Sequence, residues 1–423
     1  MVVLGKDDAV ELVRRNPSCP GPTHSQTSDP VALVQELIQK ALGANASDVH
    51  LDPGPESWDV RFRVDGILRP EGSFSSRLGP NVVARLKVLA ELLTYRTDIP
   101  QEGRLELGGM KGSGMEGRLS TFPTLHGEKV AIRFFGREAT RLGLDHLGLE
   151  METLHRLKGL LAGRQGAVLL TGPGGSGKTT TLYAALESIR ETHKNGIHIF
   201  TIEDPIERPI AGITQSQAKP GSDFDFARGL RSLLRQDPEV VMVGEIRDGQ
   251  TASIAMEAAL TGHLLLSTVH AGSACGVFSR LLDMGVEPYA LTSGIRGVLN
   301  QRLVRKSCAT CRGIGCLACQ QSGFSGRLLL AELVEVKGPL RKAILARADL
   351  DGLIDAAREM NQPHGGASGE SQLWETGLRA VARGETTHEE LTRSLGPKPG
   401  QGALSPKSIH PIPKSQLDGE NRA

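Results

Sequence analysis

Apolar and polar positions follow two rhythms along the chain. Residues 31 to 43, VALVQELIQKALG, read as an amphipathic helix stopped by Gly43. In WDVRFRVDG, Val60, Phe62 and Val64 point one way and Arg61 and Arg63 the other. That period of two predicts a half-buried strand ending in an Asp65-Gly66 turn. Residues 81 to 94, NVVARLKVLAELLT, carry apolar positions 82, 86, 89 and 93 at helical spacing. RLELGG, EGRLSTFPT and KVAIRFF read as further strands through about residue 135. Residues 29 to 140 therefore predict a small α+β domain, with 136 to 150 as a hinge.

From 150 the texture changes. Short apolar runs, AVLLT (167 to 171), HIFTI (198 to 202), VVMVG (240 to 244) and HLLLSTVH (263 to 270), alternate with helical patterns. Such alternation predicts an α/β core, residues 150 to 342, with a parallel sheet covered on both faces. Residues 343 to 395 read as helical. Two ends stand apart: 1 to 28 as a flexible lead-in, and 396 to 423, rich in Pro, Gly and Ser, as a disordered tail. No internal repeat is visible.

The first chemistry lies in AVLLTGPGGSGKTTTLYAAL. Gly172, Pro173, Gly174, Gly175, Ser176, Gly177, Lys178, Thr179 and Thr180 contain the spacing G-x-x-x-x-G-K-T between a strand and a helix. Glycines let backbone N–H groups curl around phosphate oxygens, and the helix N-terminus adds partial positive charge. Lys178 reaches the β- and γ-phosphates of ATP, and the Thr179 hydroxyl can hold Mg2+. A chance glycine-rich turn would not combine strand, loop, Lys-Thr and helix.

Such a site needs carboxylates, and the expected strand-end Asp is missing: VVMV is followed by Gly244 and then Glu245. TIEDPIE, residues 201 to 207, supplies Glu203 and Asp204 at another strand end, the edge where ligands bind in such sheets. Taken singly, these are ordinary solvating charges; two acidic strand ends downstream of a phosphate loop favour function. Thr179 and phosphate can hold magnesium with Glu203 or Glu245 acting directly or through water. The other carboxylate then orients or deprotonates the attacking water. His263 and His270 bracket the strand of HLLLSTVH. His270, at its carboxyl end, is placed for a γ-phosphate contact; His263, at its start, for bracing a neighbouring subunit or loop.

Composition narrows the partners. A net charge of +1 gives no global field favouring nucleic acid or anionic lipid, and 4% aromatics argues against a base-stacking surface. No apolar run is long enough to span a bilayer, and MVVLGKDDAVELVRRN is not a secretory signal. A cytoplasmic location with reduced thiols is the expectation. Four of six cysteines, Cys308, Cys311, Cys316 and Cys319, then form two C-x-x-C pairs suited to tetrahedral Zn2+, with Gly313 and Gly315 permitting the return. A metal-free loop and an iron–sulfur cluster are the alternatives.

In order, GPGGSGKTTTLY, TIEDPIE, LRQDPEVVMVGEIRD and TGHLLLSTVHA resemble the secretion ATPases of type II secretion and type IV pilus assembly. ASDVHLDP, VRFRVDG, IPQEGRLEL and GRLSTFPTLHGEKVAIR extend the resemblance upstream, and LLDMGVEPYALTSGIRGVLNQRLVRKSC and SQLWETGLRAVARGETTHEEL extend it downstream, so that it covers about residues 31 to 394. It implies a RecA-like phosphate-loop ATPase domain behind a small α+β domain, with a zinc knuckle at 306 to 326 and C-terminal helices. It also implies a homohexameric ring with ATP bound between the two domains, and hydrolysis driving pilus or pseudopilus assembly. By the same resemblance, Arg118 and Arg133 supply positive charge to the nucleotide, with Arg61 and Arg63 as weaker candidates. Inner-membrane platform and cytoplasmic adaptor proteins are the implied partners, making the protein peripheral to that membrane.

The chain departs from the pattern in three places. Gly174 stands where Thr is usual, the two Cys pairs lie closer together than is common, and only about 28 residues precede the match. Docking to the membrane platform would then use another surface or a separate protein. Two other readings compete. A retraction or DNA-uptake motor is disfavoured by the Cys pairs, and a nucleotide-gated regulatory module with negligible turnover is disfavoured by Lys178, Glu203 and Glu245.

Overall fold

The computed structural model describes residues 29–106, 116–135, 143–194, 196–219, 221–361 and 372–398. The expected lead-in 1–28, part of the hinge and nearly all of the tail lie outside the described residues. The chain divides into two units between Thr140 and Arg141.

The first unit begins with α1 (Pro30–Gly43), whose N-terminal N–H groups at Val31 and Ala32 donate to the Asp29 carboxylate. Then follow β1 (Asp48–Pro53), β2 (Ser57–Val64), β3 (Ile67–Ser75), α2 (Gly79–Leu89), β4 (Gln101–Glu106), β5 (Glu116–Thr124) and β6 (Gly127–Phe135). Asp65 and Gly66 both take positive φ, 49° and 82°, in the tight turn between β2 and β3. The sheet is antiparallel in the order β3-β2-β1-β6-β5-β4. Val60, Phe62 and Val64 pack with Leu33, Val34 and Ile38 of α1 and Leu86 of α2. On the opposite face a register row runs Arg63, Asp48, Arg133, Arg118, Arg104 across five strands.

The helix expected to reach residue 94 stops at Leu89. Glu91 adopts φ 55°, and Leu92 N–H bonds back to Lys87 O, a left-handed stop made without glycine. Leu93, expected on the buried face, is exposed.

The second unit carries α3 (Met151–Leu161), β7 (Gly166–Thr171), α4 (Lys178–Thr192), β8 (Ile199–Glu203), β9 (Thr214–Gln217), α5 (Phe226–Leu233), β10 (Val240–Val243), α6 (Gly249–Leu260) and β11 (Leu264–Thr268). After these come α7 (Ala274–Asp283), α8 (Pro288–Gly294), β12 (Ile295–Ser307), β13 (Phe324–Glu335), α9 (Gly338–Leu345), α10 (Leu350–Asn361), α11 (Gln372–Ala382) and α12 (His388–Leu395). The strand order is β13-β12-β7-β11-β10-β8-β9. All neighbours are parallel except β12 and β13. The expected α/β class with a parallel sheet holds.

Alternate residues of each central strand enter two cores. Leu169, Val241, Val243 and Leu265 pack with α5, α6 and α7. Val168, Leu170, Val240, Met242 and Leu266 pack with Leu157 of α3 and Leu182 and Leu186 of α4. Burial on both faces explains why these strands are continuous apolar runs. α12 closes against β12 through Glu390, which accepts from Arg305 N at 2.9 Å and from its guanidinium at 2.8 and 3.0 Å.

Candidate active site

β7 delivers the chain to a glycine loop that turns directly into α4. Gly172, Gly175 and Gly177 take φ of 143°, 72° and 89°, which side-chain-bearing residues rarely adopt. A Cβ on Gly172 would also lie 2.4 Å from Gln301 O. Gly174 is different: its φ is not left-handed and nothing lies within 4 Å of its Cβ position. The loop therefore has room for the side chain that is more usual there.

No side chain caps α4, so its first-turn N–H groups point into the loop without a side-chain acceptor. Ser176 is buried, and its Oγ has no hydrogen-bond partner. Lys178 Nζ donates to Gly172 O at 2.7 Å and Pro173 O at 3.0 Å. Burial pushes the Lys178 ammonium below the usual lysine range, Glu245 pulls it back, and Arg302 adds to the lowering. A donor-rich loop with an orphaned hydroxyl and a lysine folded over it fits phosphate oxygens. Thr179, half-buried in the first turn, is positioned for a metal held by those oxygens.

Glu245 and His270 meet at the same edge. Gly244 N–H donates to Ile202 O, Thr268 Oγ1 donates to Gly244 O, and Ile246 N–H donates to Thr268 O. This lacing holds the segment after β10 between β8 and β11. Glu245 Oε1 lies 3.2 Å from His270 Nε2, and Oε2 accepts from Arg247 Nε at 2.8 Å.

Glu203, at the end of β8, is buried among neutral donors. Tyr183 Oη donates to Oε2, while Thr201 Oγ1 (2.6 Å) and Gln215 Nε2 (3.0 Å) donate to Oε1. His263 lies elsewhere. β11 separates it from His270 by five residues, at roughly 3.3 Å each, so it sits at the opposite edge of the sheet. Its Nδ1 is 3.0 Å from Ala258 O, at the end of α6. Within the chain it stands apart from the residues gathered beside the phosphate loop, at the end of the strand where a neighbouring subunit or loop was expected to meet it. Arg118 and Arg133 belong to the first unit, where Arg118 pairs with Glu102 and Arg133 Nε donates to Asp48 at 2.9 Å.

A protein-family model for type II/IV secretion system proteins matches residues 24–393. The chain belongs to this family. It is 41% identical over 405 residues to type II secretion system protein HxcR of Pseudomonas aeruginosa, covering 93% of this chain and 84% of that one. It is 38% identical over 413 residues to type II secretion system ATPase E of Vibrio cholerae, covering 92% and 80%. Among solved structures, the ATPase DotB of Legionella pneumophila superposes with a TM-score of 0.65 at 22% identity, covering 89% of this chain and 97% of that one, a likeness of fold. The pilus retraction motor PilT with bound ADP gives 0.58 at 25% identity, covering 86% and 97%. The resemblance drawn from the four ordered motifs is borne out, and with it the ATPase class.

Sequence reading missed one cation in this type II/IV secretion system protein. Arg302 of β12 donates to Gln301 O at 3.0 Å and Gly272 O at 2.9 Å, bridging the phosphate-loop flank and the segment after His270. Burial lowers its affinity for its proton, and Glu332 opposes that. Its neighbours Asn300, Gln301 and Arg305 are polar too, so nothing in the pattern singled it out.

The β12–β13 hairpin carries the cysteines of this family member at its tip. Their four Sγ atoms lie within 4.8 Å of one another. Cys308–Cys316, Cys311–Cys319 and Cys316–Cys319 are 3.9, 3.7 and 3.7 Å apart. A tetrahedron with Zn–S of about 2.3 Å has edges of about 3.8 Å, whereas a disulfide needs about 2.05 Å. Gly313 and Gly315 take φ of 100° and 106° in the return. Burial works against ionising Cys319, yet N–H groups of Cys316 and Gly323 hold its thiol down at about 6. At the tip, Ile314 and Leu317 are 91% and 88% exposed.

Proposed function

We propose that the chain is a motor ATPase working as a homohexamer at the cytoplasmic side of the inner membrane. It couples ATP hydrolysis to pseudopilus or type IV pilus assembly, or to type II protein secretion. The observation that carries this is the gathering of Lys178, Glu245 and His270 at the carboxyl edge of one parallel sheet, beside a loop built for phosphate. Among the described residues no helix is long and apolar enough to cross a membrane, so membrane association runs through platform and adaptor partners.

Lys178 and the loop N–H groups bind the phosphates. Magnesium, held by Thr179 and phosphate with Glu245 nearby, would supply charge neutralisation at the β- and γ-oxygens. Water attacks the γ-phosphorus, the bond to the β–γ bridging oxygen breaks, and ADP departs. The water's proton goes to Glu203. Protonating Glu245 would break its contacts with Arg247 and His270, whereas Glu203 faces neutral donors only. The four cysteines bind structural zinc, which favours assembly over retraction.

The test is specific ATPase activity against protein concentration, with mass determined at each point. Activity per subunit rising steeply as the hexamer forms is the expected result. Absent activity in a folded hexamer would overturn the motor reading in favour of a gated module.

A further inference from the structure

The hydroxyl that touches Glu203 belongs to α4, the helix that opens at Lys178. Tyr183 is 2% exposed and sits on the second turn, on the face turned toward β8. Its Oη donates to Glu203 Oε2 and accepts from Glu207 N–H at 3.3 Å. Arg208 lies over the ring, 5.1 Å from its centroid, and is itself held by Glu187 at 3.1 Å. One side chain thus joins the phosphate-loop helix, the carboxylate at the end of β8 and the loop that follows.

We propose that Tyr183 is a positioning residue for the hydrolytic carboxylate: its hydroxyl fixes Glu203 Oε2 before proton transfer and turns to accept from the carboxyl once the proton has arrived. It rests on Glu203 being the proton acceptor. Thr201 and Gln215 share Oε1, where the Gln215 amide can only donate, whereas the Tyr183 hydroxyl is the partner of Oε2, so Oε2 is the oxygen placed to take the proton. A hydroxyl both donates and accepts; an amide N–H cannot. Burial, with the Glu203 hydrogen bond adding to it, raises the phenol far above the usual tyrosine range. Tyr183 therefore keeps its proton throughout and never competes as the base.

The experiment uses the full chain in its hexameric state and compares wild type, Tyr183→Phe, Glu203→Gln and the double variant. Steady-state ATPase is followed from pH 5 to 9, with unfolding temperature as a control. In Tyr183→Phe, kcat falls ~10- to 100-fold, the loss of one hydrogen bond to a charged group, while KM for ATP stays within about twofold. The acid limb of its kcat profile moves to higher pH, because the carboxylate has lost a donor. On the Glu203→Gln background the same change has no further effect. A 3-fluorotyrosine at 183, isosteric and a stronger donor, moves the acid limb the other way and serves if the Phe variant does not fold. Wild-type kcat and acid limb in Tyr183→Phe, with Glu203→Gln inactive, would overturn the role of Tyr183 and leave Glu203 standing. An equal fold-loss on both backgrounds would overturn it too. Wild-type turnover in Glu203→Gln would remove Glu203 as proton acceptor and this inference with it.

Discussion

Glu245 Oε1 and His270 Nε2 lie 3.2 Å apart, although they leave the sheet from different strands. Glu245→Gln preserves the shape of this contact but removes the charge. ATP affinity should change less than about threefold, while turnover falls at least ~100-fold, the scale of a positioned acid–base or metal-orienting group. Nucleotide titration beside steady-state ATPase checks both. His270, more than half exposed, should matter less: His270→Ala costs about tenfold in kcat.

Lys178 Nζ donates to Gly172 O and Pro173 O, across the loop proposed to hold the phosphates. Lys178→Ala should weaken ATP binding ~10- to 100-fold, the worth of one or two charge-assisted hydrogen bonds. Calorimetric titration with a non-hydrolysable ATP analogue reads this directly. Unchanged affinity would contradict the phosphate-loop assignment.

The cysteine knuckle should contain one zinc per chain by elemental analysis, and Cys319→Ser should lose most of it. Chelation should deprotect backbone amides across residues 308 to 323 in hydrogen exchange and leave β7, β10 and β11 unchanged. Metal-free protein with fully protected knuckle amides would show that hydrogen bonds alone suffice.

Glu390 sets an acid-sensitive clamp on β12. Burial disfavours its charge, but Arg393 and Arg305 hold it down from 4.5 to about 2. A depressed carboxyl contributes stability in full above the unfolded value and loses it as pH falls through the folded one. Between about pH 5 and pH 2 the wild type should therefore lose on the order of 3 kcal/mol that Glu390→Gln does not lose, since one pKa unit is about 1.4 kcal/mol. Urea unfolding across this window measures the difference. Glu390→Gln should be the weaker protein at neutral pH.

The parallel strands were legible because burial on both faces forces unbroken apolar runs, and the phosphate loop because its backbone demands glycine at fixed places. β12 and β13 were not, although they are the longest strands described. Asn300 and Gln301 interrupt the apolar pattern yet are buried, their amide nitrogens donating to Glu332 (2.9 Å) and Thr181 (2.8 Å). Both partners are remote in sequence, and periodicity registers a polar residue, not its partner. The end of α2 was hidden for the opposite reason: apolar residues continue past Glu91, where the backbone has already turned. At the site, Glu245 and His270 follow the ends of β10 and β11, and Lys178 opens α4, as the apolar runs and the glycine spacing indicated. His263 and the enclosure of Glu203 by Tyr183, Thr201 and Gln215 needed coordinates.

β12 runs beside β7 as far as Asn300, passes the phosphate loop with Gln301 O where a Gly172 Cβ would be, and continues paired with β13 to Ser307. Cys308 follows at once. One strand pair therefore leads from the flank of the phosphate loop to the cysteine knuckle, through a register shift between Arg305 and Ser307.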